Sequence, residues 1–144
     1  MAQTTTAEVM VQLLLTGILS SARTLCVSRI WARPGVPPDQ IASMPRQCVS
    51  ISMAGGVSDV YIPLWRGMVD VDCYGKTPYE ASQLYLAVKE DMRRNLNNRV
   101  AVTGGTAFCY AIHEMVAPTE FLEPVTNYPR CFSSWRVQIY EDVY

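Results

Sequence analysis

Apolar and polar residues alternate most cleanly along 69–74. Val69, Val71 and Cys73 fall on one side and Asp70, Asp72 and Tyr74 on the other, the period-two signature of a strand with one buried face. Gly75 and Lys76 break the alternation, and Thr77, Pro78 and Glu80 open a helix. The threonine hydroxyl is placed to accept from the Glu80 amide, and the glutamate to reach back to the N-cap amide. Proline at the first helical position gives up a donor that has no partner there anyway. Ala81, Leu84, Tyr85, Val88, Met92 and Leu96 then recur at i, i+3, i+4 spacing, with Gln83, Lys89, Glu90, Arg93 and Arg94 on the other side. A helix over 78–97 is therefore expected to cover a sheet face.

The same reading gives the rest of the chain. A first helix is expected over 7–21, with Val9, Leu13 and Ile18 apolar and Glu8 in the first turn, where the helix dipole favours it. It is apolar around much of its circumference, so it packs on two sides or against another subunit. A strand is expected over 24–31. Pro34, Gly35, Pro37 and Pro38 cannot continue regular structure, which predicts a loop over 33–45. A strand over 46–54 follows, with Gly55 and Gly56 suited to a tight reversal into the strand ending at Tyr74. Asn97 and Asn98 stop the second helix. Strands over 106–117 and 131–143 flank a second proline-bearing loop over 118–130. The order of elements predicts one α+β domain over 1–144, with a largely antiparallel sheet of four or five strands packed by two helices.

Composition and charge narrow the function classes. A formal net charge of −1 supplies no basic stripe for nucleic acid. Charged residues are only 17% of the chain, which leaves surface suited to partners. The five cysteines are odd in number and form no C-x-x-C pair; they read as reduced, buried small side chains of strand-like runs. The apolar run 9–15 has no basic segment before it and is interrupted by Gln12, so neither a signal peptide nor a membrane span is expected.

Candidate chemistry is sparse. His113 is the one histidine and belongs to no nucleophile motif; Cys109 lies too far along the strand to pair with it. Asp70 and Asp72 share a strand face and suit a cation weakly, with Arg66 on the same face to neutralise them. The glycine pairs lack phosphate-loop spacing. No catalytic residue, metal site or cofactor is expected. Arg33, Pro34, Pro37, Pro38 and Arg130, in the two loops, are candidate interface residues. Arg66, Asp70 and Asp72 form a polar strand face suited to an interface or, with Asp59, to the lining of a lumen.

The order of elements, the phrase Met68-Val69-Asp70-Val71-Asp72-Cys73-Tyr74-Gly75-Lys76-Thr77-Pro78-Tyr79-Glu80-Ala81 and the ending Tyr128-Pro129-Arg130-Cys131-Phe132 with Trp135-Arg136-Val137 resemble the tail terminator (tail completion) proteins of long-tailed bacteriophages and related gene-transfer particles. The resemblance covers most of the chain and describes a fold more than a site. It implies a homo-oligomeric ring, typically a hexamer, that caps the head-proximal end of the tail tube in the virion. Such a ring stops tube polymerisation and offers an interface for head–tail joining. Its implied partners are the tail tube protein and a head-completion or connector protein. DNA passes through the lumen without specific binding, no membrane is involved, and assembly takes place in the host cytoplasm. The rival within this class is another neck or tail tube subunit. The rival from another class is a small cytoplasmic enzyme or ligand-binding domain using Asp70, Asp72 and His113.

Overall fold

The computed structural model describes residues 5–17, 21–58, 64–102, 105–122 and 128–141. It is an α+β fold with a six-stranded sheet in the order β1-β2-β3-β6-β5-β4. The long strands are β2 (Cys48–Ser58), β3 (Leu64–Tyr74), β5 (Gly105–Leu122) and β6 (Pro129–Glu141). Two short strands, β1 (Ile30–Trp31) and β4 (Arg99–Val102), lie at the two edges. Only the β1–β2 pairing is parallel; the others are antiparallel. Three α-helices, α1 (Thr6–Thr16), α2 (Ser21–Cys26) and α3 (Pro78–Arg94), accompany the sheet.

The core lies between one sheet face and the helices α1 and α3. Val69, Val71 and Cys73 are fully buried on that face, as their alternation requires. Their register partners Trp135, Ser133 and Cys131 on β6 continue the same buried rows. Ala81, Leu84, Tyr85, Val88 and Met92 of α3 face them. The cap of α3 forms with one change of partner. Thr77 Oγ1 accepts from the Glu80 amide at 3.2 Å, but the Glu80 carboxylate accepts from the Lys76 amide at 2.8 Å, one residue before the N-cap. Gly75 permits this turn, because a Cβ there would meet the Ala81 amide nitrogen at 2.7 Å.

Several expectations need correction. The first helix ends at Thr16, with Gly17 as its C-cap, rather than running over 7–21. Its Met10, Leu13 and Leu14 are fully buried within this chain, which explains its broad apolar surface without a neighbour. Of the strand expected over 24–31, residues 24–26 belong to the second short helix α2, Val27 and Ser28 form a turn with positive φ, and only Ile30–Trp31 is extended. Alternation over six residues was too short to separate a strand from a buried helical turn. Gly55 and Gly56 do not reverse the chain: β2 continues to Ser58, and Gly55 takes a φ of 107° beside a register shift between Met53 and Gly56. The expected lumen residue Asp59 lies outside the described residues, as does Ile18 of the first helix.

The expected loop 118–130 is shorter than its prolines suggest. β5 continues through Pro118 to Leu122, and β6 begins at Pro129. Proline is tolerated there because the register shifts between Val116 and Thr119, leaving it outside the ladder. With β4, also missed, the sheet has six strands rather than four or five. The loop 33–45 contains a 3-10 turn, Pro38–Ser43, with Pro38 at its start.

Candidate functional site

The sheet face away from the helices carries the polar candidates. Asp70 stands between Ser52 of β2 and Ser134 of β6, and Asp72 between Ser50 and Phe132. Asp70 is half-buried, whereas Asp72 is only 8% exposed and Tyr74 fully buried. The loop after β1 folds over this end of the face, where Ser50 Oγ donates to the Arg33 carbonyl. Arg33, Pro34 and Pro38 are exposed on that loop, while Pro37 is buried beneath it.

Arg130 is not a loop residue. It is the second residue of β6 and the register partner of Tyr74, and its Nε lies 3.6 Å from Asp72 Oδ1. The structure thus joins two candidates proposed for separate regions into one half-buried ion pair. A pair buried to this degree adds little net stability, because desolvation offsets much of the Coulombic gain. Arg66 sits toward the other end of β3 on the same face and is exposed, beside Val57 and Gln138 in register.

The Cys109–His113 pairing is excluded by face. Cys109 is buried on the helix side, opposite Ile139, whereas His113 is exposed and pairs with Arg136 on the polar side. Burial pushes the Cys109 and Cys48 thiols up to about 12 and Cys131 up to about 11. None of the three is a thiolate at neutral pH. All five cysteines are buried and free. Among the described residues no group of three or more His, Cys, Asp or Glu side chains is arranged to hold a metal ion, and no helix is long and apolar enough to cross a membrane.

A second site escaped the sequence. Along the free flank of α3, Tyr85 Oη donates to the Glu114 carboxylate and Ser82 Oγ to Glu120, both on β5. Lys89 Nζ lies 4.0 Å from Glu114. The Tyr85 ring packs on Trp135 at 6.4 Å between centroids. Burial first, and then the hydrogen bond to Glu114, push the Tyr85 phenol above its ordinary value. An open groove of about 530 Å³ runs beside this contact, lined by Tyr85, Leu86, Pro118 and Cys131 among others. The spacing Ser82, Tyr85, Lys89 on one helical stripe is the signal that was available. Its partners were hidden because β5 does not keep a simple alternation.

Asp91 is the other missed residue. It is 1% exposed on α3 and accepts from the Ser21 amide at 3.0 Å and the Ala22 amide at 2.8 Å. It thereby docks the start of α2 on α3. Burial pushes its pKa up, against the two amides that favour the carboxylate. A carboxylate inside the apolar stripe of 84, 88 and 92 was the sequence signal.

No family model and no curated protein sequence matches this chain. Among solved structures, a chain of the "Virion of native gene transfer agent (GTA) particle" superposes with a TM-score of 0.61. The match covers 95% of this chain and 95% of that one at 13% identity. The likeness is one of fold. It extends over nearly the whole of both chains.

Proposed function

We propose that this chain is a structural protein of a phage-like virion, and that its copies form a ring, expected to be a hexamer, at the head-proximal end of the tail tube. The ring stops tube polymerisation and offers the surface for head–tail joining. One observation carries the reading: the fold likeness over 95% of both chains to a component of a gene transfer agent particle. The sequence resemblance to tail terminators points the same way.

The mechanism on this reading is steric and interfacial, with no catalytic step. One face of the ring matches the last tube ring, and the other offers no further tube-binding surface. Of the loop candidates, Arg33, Pro34 and Pro38 are exposed and available to a neighbour; Pro37 and Arg130 hold the loop and the sheet beneath. The polar sheet face, with Arg66 and Asp70, mixes both charge signs and suits a lumen that DNA passes without sticking.

The fold likeness suits a tube or neck subunit as well, and one experiment separates the readings. Purified protein is weighed in solution and imaged by negative stain, alone and with tail tubes. Closed rings of fixed size, or rings that form only on tube ends, are the expected result. Long filaments move the assignment to a tube protein. A compact monomer or dimer that ignores tubes removes the structural reading and returns attention to His113, Asp70 and Asp72.

A further inference from the structure

We infer that the corner between α2 and β1 of a second copy of this chain docks in the groove between α3 and β5. The inference deepens the ring reading and rests on it for closure of the ring; the contact itself rests on a strained, exposed corner and an apolar groove with an acidic rim.

The corner begins where α2 ends. The Ser28 amide donates to the Arg23 carbonyl at 2.9 Å, and the Val27 amide to the Thr24 carbonyl at 3.4 Å. These are the two bonds of a Schellman closure, and Val27 occupies the position where glycine is usual. Val27 takes a φ of 51° and Ser28 one of 61°. A β-branched residue in the left-handed region is strained. Burial does not offset that strain, because Val27 is 69% exposed, with Leu25 exposed beside it. Glycine would close α2 with less strain. A strained backbone kept under an exposed apolar side chain marks a functional position rather than a packing one.

The groove lies on the other flank of α3. α2 docks on α3 through Asp91, and Ser82, on the opposite side of that helix, reaches Glu120 of β5. There the groove of about 530 Å³ opens, with Leu86, Pro118 and Cys131 in its lining. Leu86 is 54% exposed and shares a stripe of α3 with Ser82 and the exposed Tyr79. Leu122, also 54% exposed, lies two residues beyond Glu120 on the same face of β5.

Corner and groove stand level. Ile30, Val49, Cys73, Cys131 and Glu120 form one row across the sheet. The corner lies just before Ile30 at one end of this row, and the groove opens over Glu120 at the other. Both belong to the helix side of the sheet: Cys26, at the end of α2, is buried in the core, and Glu120 is bonded to α3. A copy displaced along the row therefore brings its corner to the groove in the same layer, with no strand pairing required. The two contacting surfaces differ, so the contact is heterologous, the kind that closes into rings.

Charge is complementary as well. From 9 to 38 the chain carries three arginines, Arg23, Arg29 and Arg33, and no acidic residue. Glu120 is exposed and is the one charged residue among the described lining of the groove. A basic corner with an apolar tip thus meets an apolar groove with a carboxylate at its rim, which favours this orientation of the two copies.

The test uses three full-length variants. Val27→Glu places a carboxylate on the corner, against Glu120, and Leu86→Glu places one in the groove. Both replace exposed side chains, and circular dichroism checks that each folds. Val27→Gly suits the left-handed backbone better than valine does; its melting temperature is expected not to fall, while its association weakens by about tenfold per contact. Native mass spectrometry is expected to show wild-type rings, and each glutamate variant alone at the 16.1 kDa of the monomer. Mixed in equal amounts at the highest soluble concentration, the two are expected to form a one-to-one heterodimer, because the corner of Leu86→Glu and the groove of Val27→Glu are both intact. Glutamate variants that keep the wild-type mass would overturn the inference, as would a mixture that stays monomeric or Val27→Gly associating as tightly as the wild type. A Val27→Glu homodimer would assign the contact to two grooves, and Leu86→Glu rings that no longer cap tail tubes would assign the groove to the tube protein; either overturns it. So does a wild type that is monomeric at every soluble concentration and on tail tubes. The ring reading fails separately: wild-type filaments would remove the terminator assignment while the glutamate variants still lost their association.

Discussion

β3 and β5 are both long strands of one sheet, yet the residues that shape them act in different ways. β3 obeys its own alternation from Met68 to Tyr74 and delivers the chain directly into the capped start of α3. Val69, Val71 and Cys73 are each specified twice, once by their strand partners and once by the helices packed above them. β5 breaks its alternation at three places, between Cys109 and Ala111, Glu114 and Val116, and Val116 and Thr119. Each break inserts one residue, turns the strand and re-aims the side chains beyond it. Ile112 thereby joins Cys109 on the helix side, and Glu114 meets Tyr85. The first strand builds the core along its length; the second is shaped as much by its contacts with α3 as by the core.

Two valines bring this contrast to a number. Val71 of β3 is fully buried and Val116 of β5 is 43% exposed. Val71→Ala removes two methyl groups from a packed site and is expected to lower stability by about 2–3 kcal/mol. Val116→Ala is expected to stay within about 0.5 kcal/mol at concentrations where the chain is monomeric. Urea unfolding of both variants checks the pair. Equal losses would mean that β5 belongs to the core as fully as β3 does.

Asp91→Asn sharpens the same contrast from within α3. The amide side chain keeps one acceptor for the two amides of Ser21 and Ala22 and adds a buried donor with no carboxylate to complement. A loss of roughly 1–3 kcal/mol is expected, with α2 loosened first. Hydrogen exchange should quicken at the Ser21 and Ala22 amides, which the carboxylate now holds, more than in the β3 strand. Uniform quickening would show that Asp91 supports the whole fold rather than the docking of α2.

Sequence patterns were legible where local and tertiary demands coincide. Val69–Cys73, the Thr77 cap and the stripe from Ala81 to Met92 each had one reading, and the α+β class came from them. The same patterns misled where tertiary contacts override local ones. Residues 24–26 read as the start of a strand over 24–31, and Asp91, some 70 positions away in sequence, docks 21–26 as a helix instead. Gly55 and Gly56 carry turn-forming residues but sit inside a strand, because a bulge uses the same positive φ that a turn does. Of the candidate site, the face of Asp70 and Asp72 was visible in the alternation. The Asp72–Arg130 pair was not, since it depends on which strands become neighbours.

The smallest effect concerns a half-buried contact that reaches from α3 to β5. Tyr85 donates to Glu114, and its phenol is held above the ordinary value by burial and then by that carboxylate. For an acid whose folded pKa is raised, the contribution to stability is full below the unfolded pKa, about 10 for tyrosine, and is lost as pH rises through the folded value. Tyr85→Phe removes the titrating group. The wild type should therefore lose more stability than Tyr85→Phe between about pH 9 and pH 11, measured by urea unfolding at each pH, while at neutral pH the variant is the less stable of the two. If the two curves run parallel through that range, the hydroxyl contributes nothing across the groove. β5 would then be tied to α3 through Ser82, Lys89 and the apolar side chains rather than through this hydroxyl.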